Sequence, residues 1–349
     1  MDIKIIVDAM GGDFAPKELV LGAIRALKKF NDLQIILVGD EKQINPIVEG
    51  EAGDFNLEIV HTDQFITMDE SPKKAINEKT KASINVGMQL LAEDKADALV
   101  SAGLTGATIL SGAKYLPMIP GIERTALATI FPTARMHPSN HGLSLMIDVG
   151  ATLHCTPKQL VHFAYMGSYY VSHVLDIPQP RVALLNNGTE ETKGGEVLVK
   201  TYQYLKDAPS INFIGNIEGN DILKGVADVI VTEGFVGNIV LKTLEGASEI
   251  LKHAGRYAYR KRLTWKVGLA LLSSGVRQLK KRTDYSEYGG APILGFKKIV
   301  IKAHGRSNAK AIANAIAVAR QSVEQKIAEH IGDSIMEFNK QHRIDFIEI

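Results

Sequence analysis

One cysteine, Cys155, in 349 residues excludes an internal disulfide framework and suits a reducing compartment. No apolar run approaches the roughly 20 residues that cross a bilayer. The opening residues, Met1 to Val7, enter a strand-like pattern without a charged-then-apolar leader, so a cytoplasmic protein is expected. A net charge of +1 gives the chain as a whole no attraction for polyanions. G-x-x-x-x-G-K-[ST] is missing, which excludes a P-loop nucleotidase, and no G-x-G-x-x-G opens a helix after a strand, which counts against a dehydrogenase. H-E-x-x-H and paired C-x-x-C are missing as well. His137 and His141 stand four apart, but Pro138 between them opposes a shared helix face. Neither a metal nor a cofactor is expected.

What is present is an ordinary globular balance, 45% hydrophobic and 23% charged, enough for a large core. Continuously apolar, β-branched runs predict strands at Ile3–Asp8, Leu33–Val38, Ala98–Ser101, Leu143–Asp148, Arg181–Asn186, Ile211–Ile214, Asp228–Thr232 and Lys298–Lys302. Helical patterns fall between them, at Pro16–Phe30, Ser71–Glu93, Thr105–Tyr115, Pro157–Leu175, Glu190–Leu205 and Ser307–His330. This alternation predicts an α/β fold, a three-layer α/β/α arrangement on a mostly parallel sheet. One domain over residues 1–349 is expected, with 252–282 as a basic amphipathic insertion.

In such sheets ligands sit where strand ends meet the following loops. Those loops here are polar and rich in glycine: Asp8 to Asp13, Ser101 to Ala107, Asp148 to Ala151, Asn186 to Gly194, Glu233 to Asn238 and His304 to Asn308. Glycine lets backbone N–H groups approach a ligand, and a helix start behind such a turn attracts an anion. Six such loops, expected at one edge of the sheet, predict a cleft for a small anion, with phosphate as the expected ligand. The candidate contacts are Asp8, Gly11, Gly12, Ser101, Gly103, Thr105, Gly106, Gly237, Ser307 and Asn308. Cys155 could carry an acyl group as a thioester, but a lone cysteine is more often a buried structural residue.

Three motifs carry a family resemblance: Gly234-Phe235-Val236-Gly237-Asn238 with Leu241-Lys242 and Glu245-Gly246; Tyr288-Gly289-Gly290-Ala291-Pro292; and His304-Gly305 with Ser307-Asn308-Ala309-Lys310-Ala311. With Asp8-Ala9-Met10-Gly11-Gly12-Asp13 they make the sequence resemble the PlsX-type phosphate acyltransferases, over nearly the whole chain. The resemblance implies a fold similar to phosphate acetyltransferases and isocitrate- and isopropylmalate-type dehydrogenases. It implies a homodimer that moves a fatty acyl group from acyl carrier protein to inorganic phosphate at the start of phospholipid synthesis. Lys193 would bind phosphate or the oxyanion as a cation, Asn238 would donate to the tetrahedral intermediate, and His304, Ser307 and Asn308 would line the same pocket. Two other readings stay open. One uses acyl-CoA or short chains, and the other is a non-catalytic protein that binds carrier or membrane.

The chain departs from the family pattern within these loops. Leu104 stands where Asn is usual, and Thr152 also replaces an Asn. His154 takes a position usually held by Asp or Ala. Thr125 replaces Pro, Glu233 replaces Asp, and Arg306 replaces a small residue. Separately, residues 252–282 hold ten Lys or Arg and no acid, so the +1 of the whole chain leaves a remainder of −9 outside them. They flank the apolar stretch from Leu263 to Leu272, which contains Trp265, Leu269, Leu271 and Leu272. Such a segment suits a peripheral position at the anionic inner face of a membrane. A dimer contact or docking of the acidic carrier protein are the other roles weighed for it. Nucleic-acid binding is not expected, because no reading motif accompanies the charge.

Overall fold

The structure, a computed structural model, describes residues 2–134, 142–261, 264, 265, 268, 271, 272 and 289–341. Its first half runs β1 (Ile3–Asp8), α1 (Lys17–Leu27), β2 (Leu33–Gly39), α2 (Glu41–Glu49), β3 (Leu57–His61), α3 (Pro72–Glu78), α4 (Ser83–Ala92), β4 (Ala98–Ser101), α5 (Thr105–Tyr115) and β5 (Ala126–Pro132). Then come β6 (Leu143–Ile147), α6 (Pro157–Val174), β7 (Arg181–Leu185), α7 (Gly195–Lys206), β8 (Asn212–Ile217), a 3-10 helix (Gly219–Lys224), β9 (Val229–Val231) and α8 (Gly234–Lys261). The chain closes with β10 (Ala291–Leu294), β11 (Ile299–Lys302), α9 (Ala309–Glu324) and α10 (Ile327–Gln341).

All these strands join one sheet in the order β3-β2-β1-β4-β11-β10-β5-β6-β9-β7-β8. Alternation along each strand divides its side chains between two covered faces. Ile5 and Val7 enter the core under α1 and α9, whereas Ile6 turns to the opposite face. In the same way Val229 and Val231 meet α6, and Ile230 turns away from it. One core on that opposite face spans both halves of the sheet and takes in α4, α5 and the inner side of α8. The predicted α/β/α layering is therefore present.

The sheet is mostly parallel, as expected, but three of its pairings reverse direction. β10 pairs antiparallel with β11 and with β5, and β5 pairs antiparallel with β6. These reversals turn the block β6-β9-β7-β8 against the block β3-β2-β1-β4-β11. The loops after β1, β4 and β11 consequently leave one edge, and those after β6, β7 and β9 leave the other. The six glycine loops thus form two clusters rather than one. The strands between them are short, four residues in β10 and in β11. At about 3.3 Å per residue the sheet is only ~13 Å tall there.

Helix breaks also differ. The expected Ser71–Glu93 helix divides into α3 and α4, because Lys79 turns out of helical geometry and the Asn85 amide donates to the carbonyls of Ile76 and Lys79 within the break. Ser307–His330 breaks at Lys326, which adopts φ +48°. His137, His141 and Leu269 lie outside the described residues.

Candidate active site

The first cluster is built around Asp8. Its carboxylate is buried and accepts hydrogen bonds from Ser83 Oγ at 2.6 Å and Ser101 Oγ at 2.7 Å. Ser101 Oγ in turn accepts from the Gly103 N–H at 3.0 Å. A Cβ on Gly11 would lie 2.4 Å from the Asp8 carboxylate and 2.8 Å from the Gly103 nitrogen, so only glycine fits. Gly12, at φ +108°, packs against the Gly305 carbonyl, and Asp13 N–H donates to that same carbonyl at 2.9 Å. The loops after β1, β4 and β11 are thus locked together. The space enclosed by Asp8, Gly11, Ser83, Ser101, Gly103 and Leu104 is about 10 Å³, the size of one water. Asp8 and Ser101 are therefore spent on internal bonds, and a phosphate has to sit outside this core.

Leu104 is the N-cap of α5 and makes no side-chain cap bond. Thr105 and Gly106 follow as the first helical residues, and Pro72 presses on Gly106 from α3. Asn308 caps α9, its side chain accepting from Ala311 N–H at 3.0 Å. Ser307 beside it is buried. His304 is exposed, and its Nδ1 accepts from Arg306 N–H at 3.1 Å. Partial burial holds the His304 pKa below the usual imidazole value, helped by Lys302, Lys242 and Arg306, while Glu245 opposes them.

The second cluster centres on Asp148. Its buried carboxylate accepts from the backbone N–H groups of Leu127, Gly150, Ala151 and Thr152 at 2.6–3.0 Å. Burial nevertheless raises its pKa above the ordinary carboxylate value. The first turn of α8 rests on this loop with no room for side chains. A Cβ on Gly237 would lie 1.9 Å from the Asp148 carbonyl oxygen, and one on Gly234 2.7 Å from the carboxylate. Asn238 is exposed, and its amide donates to the Val149 carbonyl at 3.0 Å, which leaves a second N–H for a ligand. Lys193 leaves the same edge on the loop after β7, exposed, 4.0 Å from Glu190. Asn186 steadies that loop by donating to the Lys193 carbonyl at 3.1 Å.

Cys155 sits behind this loop with its thiol buried 3.8 Å from the Thr152 carbonyl. Burial, then the charges of Asp148 and Glu233, pushes its pKa up to about 12. A neutral thiol is a poor nucleophile, so an acyl-enzyme on Cys155 is disfavoured.

Helix α8 joins the two clusters. Starting from the second, its 28 residues reach ~42 Å at 1.5 Å per residue. Lys242 and Glu245, one and two turns past Asn238, come close enough to act electrostatically on His304. Lys302 was not among the expected site residues, yet it lies here. Only 6% exposed, its ammonium donates to the Ala303 carbonyl. Burial lowers its pKa to about 8 against the attraction of Asp8 and Asp13. Its signal was a lysine ending the apolar run Ile299-Val300-Ile301, where charge is rarely tolerated. Farther along, Trp265, Leu271 and Leu272 are exposed. Among the described residues no helix is long and apolar enough to cross a membrane, and no group of His, Cys, Asp or Glu could hold a metal ion.

An opposed double block of parallel strands with loop clusters at both edges is the phosphotransacetylase type of α/β fold. A phosphotransacetylase from Streptococcus pyogenes superposes with a TM-score of 0.59 at 18% identity, over 95% of this chain and 94% of that one. A branched-chain phosphotransacylase from Enterococcus faecalis gives 0.54 at 17% identity, over 92% and 99%. Sequence comparison is more specific. The family model described as "Fatty acid synthesis protein" matches residues 3–330, and the chain belongs to that family. Its relatives include proteins named phosphate acyltransferase from Heliobacterium modesticaldum, 48% identical over 94% of this chain and 98% of that protein, and from Moorella thermoacetica, 46% identical over 95% of each.

Proposed function

We propose that the chain carries out the reaction its relatives are named for, acyl transfer to inorganic phosphate, with a fatty acyl thioester of acyl carrier protein as donor. The observation that carries this reading is α8, which ties Asn238 and the Asp148 turn at one end to Lys302 and His304 further along. A phosphate oxygen attacks the thioester carbonyl, an acyl–O–P link forms and the C–S bond breaks. The thiolate leaves and takes the proton that phosphate brought. Phosphate is already anionic and the thioester already activated, so positioning and oxyanion stabilisation supply most of the catalysis. Lys193 holds negative charge, and Asn238 gives its second N–H to the tetrahedral oxyanion. His304, held neutral, lines the pocket with Ser307 and Asn308. Backbone N–H groups at Gly12, Thr105 and Gly106 border the anion, while Asp8, Gly11, Ser101, Gly103 and Gly237, whose own N–H donates to the Glu233 carbonyl, shape the loops around it.

The acyl phosphate formed would serve phospholipid synthesis. A homodimer bound peripherally to an anionic membrane, through the basic segment with Trp265, Leu269, Leu271 and Leu272, suits an insoluble acyl product. The test is phosphate-dependent release of thiol from palmitoyl-[acyl carrier protein], beside palmitoyl-CoA and butyryl-CoA. Release from the carrier substrate supports the reading. Silence with every donor, from protein that still binds carrier or vesicles, overturns it.

A further inference from the structure

An apolar groove of about 320 Å³ runs between α8 and the 3-10 helix. Ile239, Val240, Thr243 and Leu244 line it from α8, and Ile222 and Leu223 from the 3-10 helix. No charged side chain borders it. Ile239 is 52% exposed and Leu223 46%, so the groove displays apolar surface that nothing in the chain covers among the described residues. The Thr243 hydroxyl donates to the Ile239 carbonyl at 2.8 Å and presents no unmet polar demand to an occupant. We infer that this groove binds the hydrocarbon chain of the acyl donor, an inference that rests on the acyl-transfer reading and gives that chain a place.

Continuity fixes the occupant. The groove begins at Ile239, one residue beyond Asn238 on the same helix. Gly219, at its other wall, follows β8, whose C-terminal end shares an edge with the Lys193 loop and the start of α8. A thioester carbonyl placed between Asn238 and Lys193 can therefore send its alkyl tail along α8 into the groove, whose own lining carries no charge. The volume lies at the lower end of the range for small-molecule sites, roughly 300 to 1,000 Å³. It has room for on the order of ten groups of about 30 Å³, the share of one water. That suits an unbranched chain better than a compact headgroup.

The test uses the full chain with Thr243→Trp and, separately, Leu223→Trp, two exposed positions where a larger ring fills the groove without disturbing the core. Binding of a fluorescent sixteen-carbon fatty acid is titrated directly, and kcat/KM is measured for hexadecanoyl and butyryl donors. Each methylene denied the groove costs roughly a factor of four. The expected result is at least a tenfold loss of fatty-acid affinity in both variants and a comparable fall in the hexadecanoyl-to-butyryl ratio. Lost fatty-acid binding in protein that turns over no donor would retain the groove and sink the acyl-transfer reading instead. Unchanged affinity and an unchanged ratio would overturn the inference. So would a shift in sedimentation from dimer to monomer with fatty-acid binding intact, because the groove would then be covered by a second copy of the chain.

Discussion

Lys302→Met removes a charge that the fold holds at a loss. Lys302 is buried beside Asp8, and its pKa falls from 10.5 to about 8. Below that folded value both folded and unfolded chains carry the proton, and the full cost of burying the ammonium is present. Between about 8 and 10.5 the unfolded chain keeps the proton that the folded chain has released, so stability rises with pH. At about 1.4 kcal/mol per pKa unit the whole window amounts to ~3 kcal/mol. Methionine keeps the unbranched stem and drops the charge. Asp8 loses an attractive neighbour in the variant, which offsets part of the gain. The expectation is a variant more stable than the parent by ~1–3 kcal/mol at about pH 7, with the advantage shrinking as pH approaches 10. Equilibrium urea unfolding, followed by circular dichroism at several pH values, reads both quantities. A variant less stable at neutral pH, with a gap that does not change up to about pH 9.5, would refute the reasoning. A lysine retained at such a cost beside an exposed histidine belongs to a site rather than to the core.

Lys193→Ala should lower phosphate-dependent thiol release at least ~100-fold, while leaving the melting temperature unchanged because the side chain is exposed; near-normal turnover would remove Lys193 from the site. Gly237→Ala forces a Cβ to within 1.9 Å of the Asp148 carbonyl oxygen, and should cost about 3 kcal/mol or more in urea unfolding. Gly246→Ala, on the same helix with nothing within 4 Å, should stabilise by ~0.5–1 kcal/mol; equal effects from the two would mean that the first turn of α8 does not rest on the Asp148 loop. Cys155, with its thiol pushed up to about 12, should resist iodoacetamide at neutral pH, and Cys155→Ala should keep its activity; rapid alkylation seen by mass spectrometry would contradict the burial.

The layers were legible because β-branched runs mark strands buried on both faces, and Ile5, Ile6 and Val7 show how one such run serves two cores. The unforeseen strands were β3, β5 and β10. β3 lies at the sheet edge with only partial burial, and its sequence Leu57-Glu58-Ile59-Val60-His61 mixes charge into the run. β10 is four residues long and contains Pro292, a weak strand signal by composition. Missing β5 and β10 hid the reversal, since those two strands alone join the opposed blocks. Glycine loops are visible in a sequence, whereas the edge each one leaves depends on strands that must first be found. For the same reason the sequence marks Lys302 only as the end of a strand, although it lies beside Asp8.

The departures from the family pattern separate once their contacts are known. Thr152 Oγ1 donates to the carbonyl of Thr125 at 3.1 Å, so two of the altered residues meet each other. His154 and Glu233, altered as well, approach to 3.7 Å. Arg306 lies 3.7 Å from Asp13 on the rim of the first cluster. Each of these changes is answered by a local partner, and none lines the enclosed space at Asp8. Leu104 is different: it lines that space and occupies the N-cap of α5 without a cap bond. Leu104→Asn restores an acceptor to the cap and should stabilise the fold by about 1 kcal/mol. It also places an amide at the helix start where an anion would approach. If the variant lowers the KM for phosphate while the other altered residues stay in place, Leu104 is the departure that weakens the affinity of this chain for phosphate. If stability rises and that KM does not move, the anion sits nearer Lys193 and Asn238 than the start of α5, and Leu104 only fills the core beneath it.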